Sequence, residues 1–229
     1  MNPHVGAPAA VLWDMDGTLI DSEPYWIAAE TELAALYGVD WSQDDGLTLV
    51  GNPLLLSAAV LRERGVLLPL ETIVDRLIGR VTMQVRERVP WQSDAFELLG
   101  RVLTAGIPCA LVTMSYRSLA DAMLAQIPDG FAALVTGDEV THGKPHPEPY
   151  LTAAARLGVS IFDCVAIEDS PAGVASALAS GARTIGVRRL TPIEPAPGLS
   201  RVEGLGRLDI DAIARIAQGE VLDELGERV

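Results

Sequence analysis

The spacing of apolar positions changes character twice along the chain. Residues 9–13, AAVLW, form an unbroken apolar run that ends at the polar turn DMDGT, the pattern of a short strand buried on both faces. From residue 22 to residue 37 the rhythm is helical. Trp26, Ala29, Leu33 and Leu36 share one face, Ser22 is placed to cap the start, and Gly38 to end it. Two more helical stretches follow at 53–64 and 70–88. In the second, Ile73, Val74, Leu77, Ile78, Val81 and Val85 make an apolar stripe, read as a packing surface.

After Pro90 helix and strand alternate. Helices at 93–104, 118–126, 148–157 and 172–180 lead in turn to strands at 107–113, 131–136, 162–167 and 183–187. The Pro-rich stretch TPIEPAPGLS (191–200) reads as a surface loop before a last helix near 209–217. Such alternation predicts an α/β fold, a parallel sheet with helices on both faces. A strand, a helical block and then the rest of the series predict an insertion. Residues 1–19 and 89–229 form the core in this reading, and residues 20–88 a helical cap. No internal repeat is evident.

Composition narrows the function. A chain of 229 residues that is 49% hydrophobic can build a full core without a disulfide staple. Cys109 and Cys164 both sit in apolar runs and read as small buried hydrophobes, which suits a reducing cytoplasm. The start, MNPHVGAPAAVLWD, shows neither a cationic leader nor a signal-length apolar stretch, and no run is long enough to span a bilayer. A cytoplasmic protein with no membrane partner is expected. The net charge of −14 argues against nucleic acid. An anionic substrate would need local positive charge from a metal, a lysine or backbone N–H groups. The pattern leaves the oligomeric state open.

Four segments carry candidate chemistry. Asp14 and Asp16 follow the first strand, where open parallel sheets bind ligands, and positions i and i+2 of extended chain point the same way. Two acids in a loop are more often solvated, but the buried strand before them favours a shared pocket. Thr113 ends the strand IPCALVT, where its hydroxyl and the N–H of Met114 could hold phosphate oxygens, although threonine there is usually structural. Lys144 is hemmed by Gly143 and Pro145, which marks it as an oriented cation rather than an ordinary surface lysine. Glu168 and Asp169 end the run FDCVAI, where two acids are costly unless solvated or bound to a cation. Oxygen ligands of this type suit Mg2+.

Taken together, DMDGTLIDSEP, LVTMS, GKPHPEPY and IEDSPAGVASALASG resemble the four motifs of the haloacid dehalogenase-like superfamily, closest to its helical-cap phosphatase and β-phosphoglucomutase-like branch. The resemblance spans residues 11–187. It implies a Rossmann-like core, an α-helical cap inserted after the first motif, and Mg2+-dependent hydrolysis of a small phosphorylated metabolite through an aspartyl phosphate. By the same resemblance Asp14 is the nucleophile and Asp16 the general acid/base. Thr113 and Met114 hold the transferring phosphoryl group, Lys144 neutralises it, and Asp14, Asp16 and Asp169 surround Mg2+. Glu168 matches a position that in some members of the family also approaches the metal.

Departures from the family pattern bear on the reaction. LVGNPLLL (49–56) resembles the family's substrate loop, which makes Gly51 and Asn52 candidate substrate contacts. Sugar-phosphate mutases of this branch carry basic residues there, whereas this chain has Val50, Asn52 and Leu54. That favours hydrolysis, with Arg117 as the one cation that could reach a distal phosphate. Trp26 is read as cap core rather than a substrate contact. The rivals are a mutase and a catalytically silent binding module. A dinucleotide-binding domain lacks its glycine fingerprint here, and halide-removing relatives normally lack the second aspartate.

Overall fold

The computed structural model describes residues 6–226; residues 1–5 and 227–229 of the two expected core segments lie outside the described residues. Six strands form one sheet: β1 (Ala10–Trp13), β2 (Cys109–Val112), β3 (Ala133–Val135), β4 (Cys164–Glu168), β5 (Arg183–Val187) and β6 (Leu199–Val202). Their order is β3-β2-β1-β4-β5-β6, and every neighbouring pair is parallel. The chain leaves β1 for one side of the sheet and returns to its other side at β4. The reversal opens a crevice at the carboxyl ends of β1, β2 and β4.

Four helices lie between β1 and the second strand's helix: α1 (Glu23–Leu36), α2 (Gln43–Leu47), α3 (Leu54–Arg64) and α4 (Leu70–Glu87). The crossovers and the end of the chain supply α5 (Ser93–Thr104), α6 (Arg117–Leu124), α7 (Glu148–Leu157), α8 (Pro171–Ser180) and α9 (Ile210–Ala217). Strand alternation divides the core in two. Val11 and Trp13 face one side with Leu111, Val165 and Ile167, while Ala10 and Leu12 face the other with Ala110, Val112 and Tyr150. The six-residue stripe of α4 is buried throughout, and α4 packs on α1, α3 and α6. Trp26 packs, half-buried, against this core. No helix among the described residues is long and apolar enough to cross a membrane.

Several expectations need correction. Ser22 stands at the N-cap of α1 but makes no capping bond, because its hydroxyl goes to Asp16 instead. The short helix α2 was not foreseen. It is set by a capping box in which Ser42 and Asp45 exchange side-chain and backbone bonds. Residues 199–200 belong to β6, not to a surface loop. The polar pair Ser200 and Arg201 hid that strand, and both are buried, Arg201 with its guanidinium bonded to Asp223 and to the Ile193 carbonyl. The strand expected at 162–167 begins with a 3-10 turn, Ile161–Asp163, and runs on through Glu168.

Candidate active site

The crevice collects side chains from loops far apart in sequence. Asp14 follows β1 directly, its N–H donating to the Ile167 carbonyl of β4 at 3.0 Å, so the sheet itself fixes its backbone. Asp169 follows β4, and Thr113 follows β2. The carboxylates of Asp14, Glu168 and Asp169 offer ligand atoms all within 4.8 Å of one another, and all three residues are buried. Glycine makes this crowding feasible. Gly17 has φ +85°, and a Cβ there would stand 2.0 Å from Asp169 Oδ2. A Cβ on Gly173 would meet the Glu168 carboxylate at the same distance, 2.0 Å.

Lys144 enters from the loop before α7 and is buried among these acids. Its Nζ donates to Asp14 Oδ1 at 2.6 Å, to Glu168 Oε1 at 2.6 Å and to the Val112 carbonyl at 2.8 Å. An ammonium has three protons, and all are used. These bonds join the ammonium to the acid cluster and to the end of β2. It holds one oxygen of Asp14 and leaves the other, Oδ2, buried without a partner. Glu168 takes a further bond from the Tyr150 hydroxyl at 2.7 Å, which ties the pair to α7.

Asp16 stands apart from the carboxylate cluster. Its Oδ1 accepts from Ser22 Oγ at 2.5 Å, and its Oδ2 from Ser115 Oγ at 2.8 Å and Thr113 Oγ1 at 3.3 Å. Its carboxylate is thus turned toward three hydroxyls, while those of Asp14 and Asp169 gather with Glu168. Thr113 is placed by its own acceptor role toward the Ser115 N–H, at 2.9 Å. Among the described residues no hydrogen bond uses the N–H of Met15, Asp16 or Met114. These donors are free for an outside acceptor at the mouth of the crevice.

Electrostatics single out the cluster. Burial, and then the Glu168 charge, push the Asp14 carboxyl from 3.8 up to about 7, against the pull of Lys144. Burial, followed by Asp14 and Glu168, likewise raises Asp169. For Lys144 burial disfavours the charge, but Asp14 and Glu168 outweigh it and hold the ammonium above its ordinary range. Three buried carboxyl groups thus share one cation, and ionising all of them would leave two negative charges uncompensated. A divalent cation with a preference for oxygen ligands fits that deficit, and the three carboxylates supply such ligands.

Other expected residues lie elsewhere. The Arg117 guanidinium is exposed and paired with Asp121 at 2.8 Å and Glu139 at 3.2 Å, so it is not directed into the crevice. Gly51 is exposed at φ +78° and Asn52 bonds back to Leu49; neither is bonded to the cluster. Sequence reasoning missed Ser115 and Tyr150. Thr18 and Ser22, both in the first motif, do reach the site, and the Thr18 hydroxyl donates to Asp169 Oδ1 at 3.2 Å. The signal for the missed pair was membership of the motifs themselves, Ser115 closing LVTMS and Tyr150 closing GKPHPEPY.

Comparison with known proteins shows what the chain is similar to. A family model for haloacid dehalogenase-like hydrolases matches residues 8–181. The chain is 33% identical over 193 residues to hexitol phosphatase B of Escherichia coli K12, covering 82% of this chain and 84% of that protein. It is 31% identical to fructose-1-phosphate phosphatase YqaB of the same organism, over 80% of this chain and 97% of the relative. Among solved structures, CbbY from Rhodobacter sphaeroides in complex with phosphate superposes with a TM-score of 0.78 at 25% identity, covering 87% of this chain and 96% of that one.

Proposed function

We propose that this chain, which belongs to the haloacid dehalogenase-like hydrolase family, hydrolyses the phosphate ester of a small sugar or sugar alcohol with Asp14 as nucleophile. The observation that carries the reading is the asymmetry of Asp14. One oxygen is clamped by Lys144, and the other is buried and unpartnered at the carboxyl end of the central strand. The substrate class rests on the phosphatase relatives, which act by name on hexitol and fructose-1-phosphate esters.

In the first step Asp14 Oδ2 bonds to phosphorus as the ester P–O bond breaks, and the leaving alkoxide takes a proton from Asp16. In the second, Asp16 accepts a proton from water while the water oxygen bonds to phosphorus and the Asp14–phosphorus bond breaks. Inorganic phosphate leaves, and both aspartates return to their starting state. Splitting one slow displacement in two is the advantage of the covalent route. The hydroxyls of Ser22, Thr113 and Ser115 orient Asp16 for both transfers. The free N–H groups of Met15, Asp16 and Met114 would receive phosphoryl oxygens. Lys144 keeps Asp14 ionised and aimed.

Asp14 and Asp169 would hold Mg2+, with Glu168 orienting them through Lys144 and the Asp169 N–H. When bound, the ion neutralises charge on the phosphoryl oxygens. We read α1–α4 as a cap, residues 20–88, that shields the crevice from water. Hydrolysis is preferred to phosphate return because Val50 and Leu54 carry no charge and Arg117 is already paired. A protein of this composition belongs in the cytoplasm on this reading.

The test is a panel of phosphorylated sugars and sugar alcohols, assayed with Mg2+ and again after chelation. Free phosphate should appear in step with substrate loss and stop on chelation. Isomerised sugar phosphate without free phosphate, or activity undiminished by chelation, would overturn it.

A further inference from the structure

Only three histidines occur in the chain, and two of them meet on the surface beside the Lys144 loop. His142 and His146 stack with ring centroids 4.6 Å apart at 34°. A nitrogen of each and an oxygen of Glu148 lie within 4.8 Å of one another. Packing does not account for the pairing, since both rings are exposed. Glu148 is held in place by the backbone: the N–H of Thr141 donates to its Oε1 at 2.7 Å and that of His142 to its Oε2 at 3.0 Å. That second oxygen also bonds His142 Nδ1 at 2.9 Å, which orients the ring.

We propose that His142, His146 and Glu148 form a second metal site, selective for a nitrogen-seeking first-row divalent ion of the zinc class. Two imidazoles and one carboxylate, with open positions toward solvent, are a donor set that zinc accepts and magnesium does not favour. The site is separate from the acid cluster, which offers carboxylate oxygens alone. The Glu148 backbone N–H donates to His146 Nδ1 at 3.2 Å, a long contact that the imidazole gives up or keeps according to which nitrogen it turns to the ion. The positive end of α7 opposes a cation here, and the Glu148 carboxylate in its first turn offsets that charge.

The position gives the site a consequence. His142 and His146 flank Lys144 by two residues on either side, while the Lys144 ammonium is buried against Asp14 and Glu168. An ion joining the two histidines across the outside of this loop braces the segment that delivers Lys144. Zinc therefore stabilises the folded protein through residues that touch no substrate.

Imidazole NMR of the full-length, 15N-histidine-labelled protein tests this, with zinc titrated against saturating magnesium. Two of the three imidazoles should shift together and saturate at one equivalent, and zinc should raise Tm. In His142→Gln or His146→Gln the remaining partner should lose that shift at one equivalent, binding should weaken at least about tenfold, and the Tm gain should vanish. Unshifted histidines, a single histidine titrating alone, or a Tm gain equal in the variants would overturn the proposal.

Discussion

Glu30 lies on the buried side of α1, outside the four motifs, and its Oε2 has no hydrogen-bond partner. Burial, then the charge of Glu23, push its carboxyl from 4.5 up to about 8, with only the Trp41 indole pulling the other way. Such a group is a fixed liability above neutrality. Below pH 4.5 both folded and unfolded chains hold the proton and nothing is lost. As pH rises the unfolded carboxyl ionises first, so stability falls until the folded group titrates near 8 and then levels off. Between about pH 5 and about pH 9 the loss is at most about 4 kcal/mol, a large share of a typical folding free energy. Glu30→Gln keeps the shape and removes the titration. Urea unfolding of both proteins across this range, in the same buffer, isolates Glu30 and its coupling to Glu23, because titrating groups that do not sense Glu30 cancel in the difference. The variant should match the parent at the acid end and exceed it progressively toward the alkaline end. A difference that stays flat with pH would refute the account of Glu30 as a buried, unpaired acid.

Three further outcomes follow from the site. Lys144→Met should abolish turnover and destabilise the chelated protein by about 3–5 kcal/mol in denaturant unfolding, since Asp14 and Glu168 would be left buried without their cation. Gly17→Ala forces a side chain into φ +85° and against Asp169, so calorimetry should show magnesium affinity down roughly 10–100-fold. Asp14 is raised from 3.8 to about 7 in the cation-free protein, so chelated protein should lose stability as pH climbs through that interval. Added magnesium should restore it, with the Tm gain larger at the alkaline end.

The sheet was legible because buried parallel strands are written as short apolar runs between amphipathic helices. AVLW and CALV show no polar interruption, and the α4 stripe repeats cleanly. LSRV broke that rule, and β6 was missed for the same reason that Arg201 is buried: its charge is satisfied by Asp223, far along the chain. Asp14, Thr113 and Asp169 stood out because they follow apolar strand runs, and Lys144 because Gly143 and Pro145 hem it. The partners of those residues did not stand out. That Ser22 serves Asp16 rather than α1, or that Lys144 grips Asp14, depends on side-chain direction across the fold. Glu30 is covered by α2, where a Cβ on Gly46 would stand 3.2 Å from its Oε2, and nothing in the local sequence marks that.

Asp14 is the centre of the account, and the covalent step is where it can be tested most directly. The protein would be mixed with magnesium and a hydrolysed sugar phosphate, quenched in acid within the first turnovers, and its peptides examined by mass spectrometry. A phosphate on the peptide that contains Asp14, removed by hydroxylamine and absent in Asp14→Asn, is the predicted result. Phosphate release at full rate with no such adduct, or turnover retained in Asp14→Asn, would contradict it.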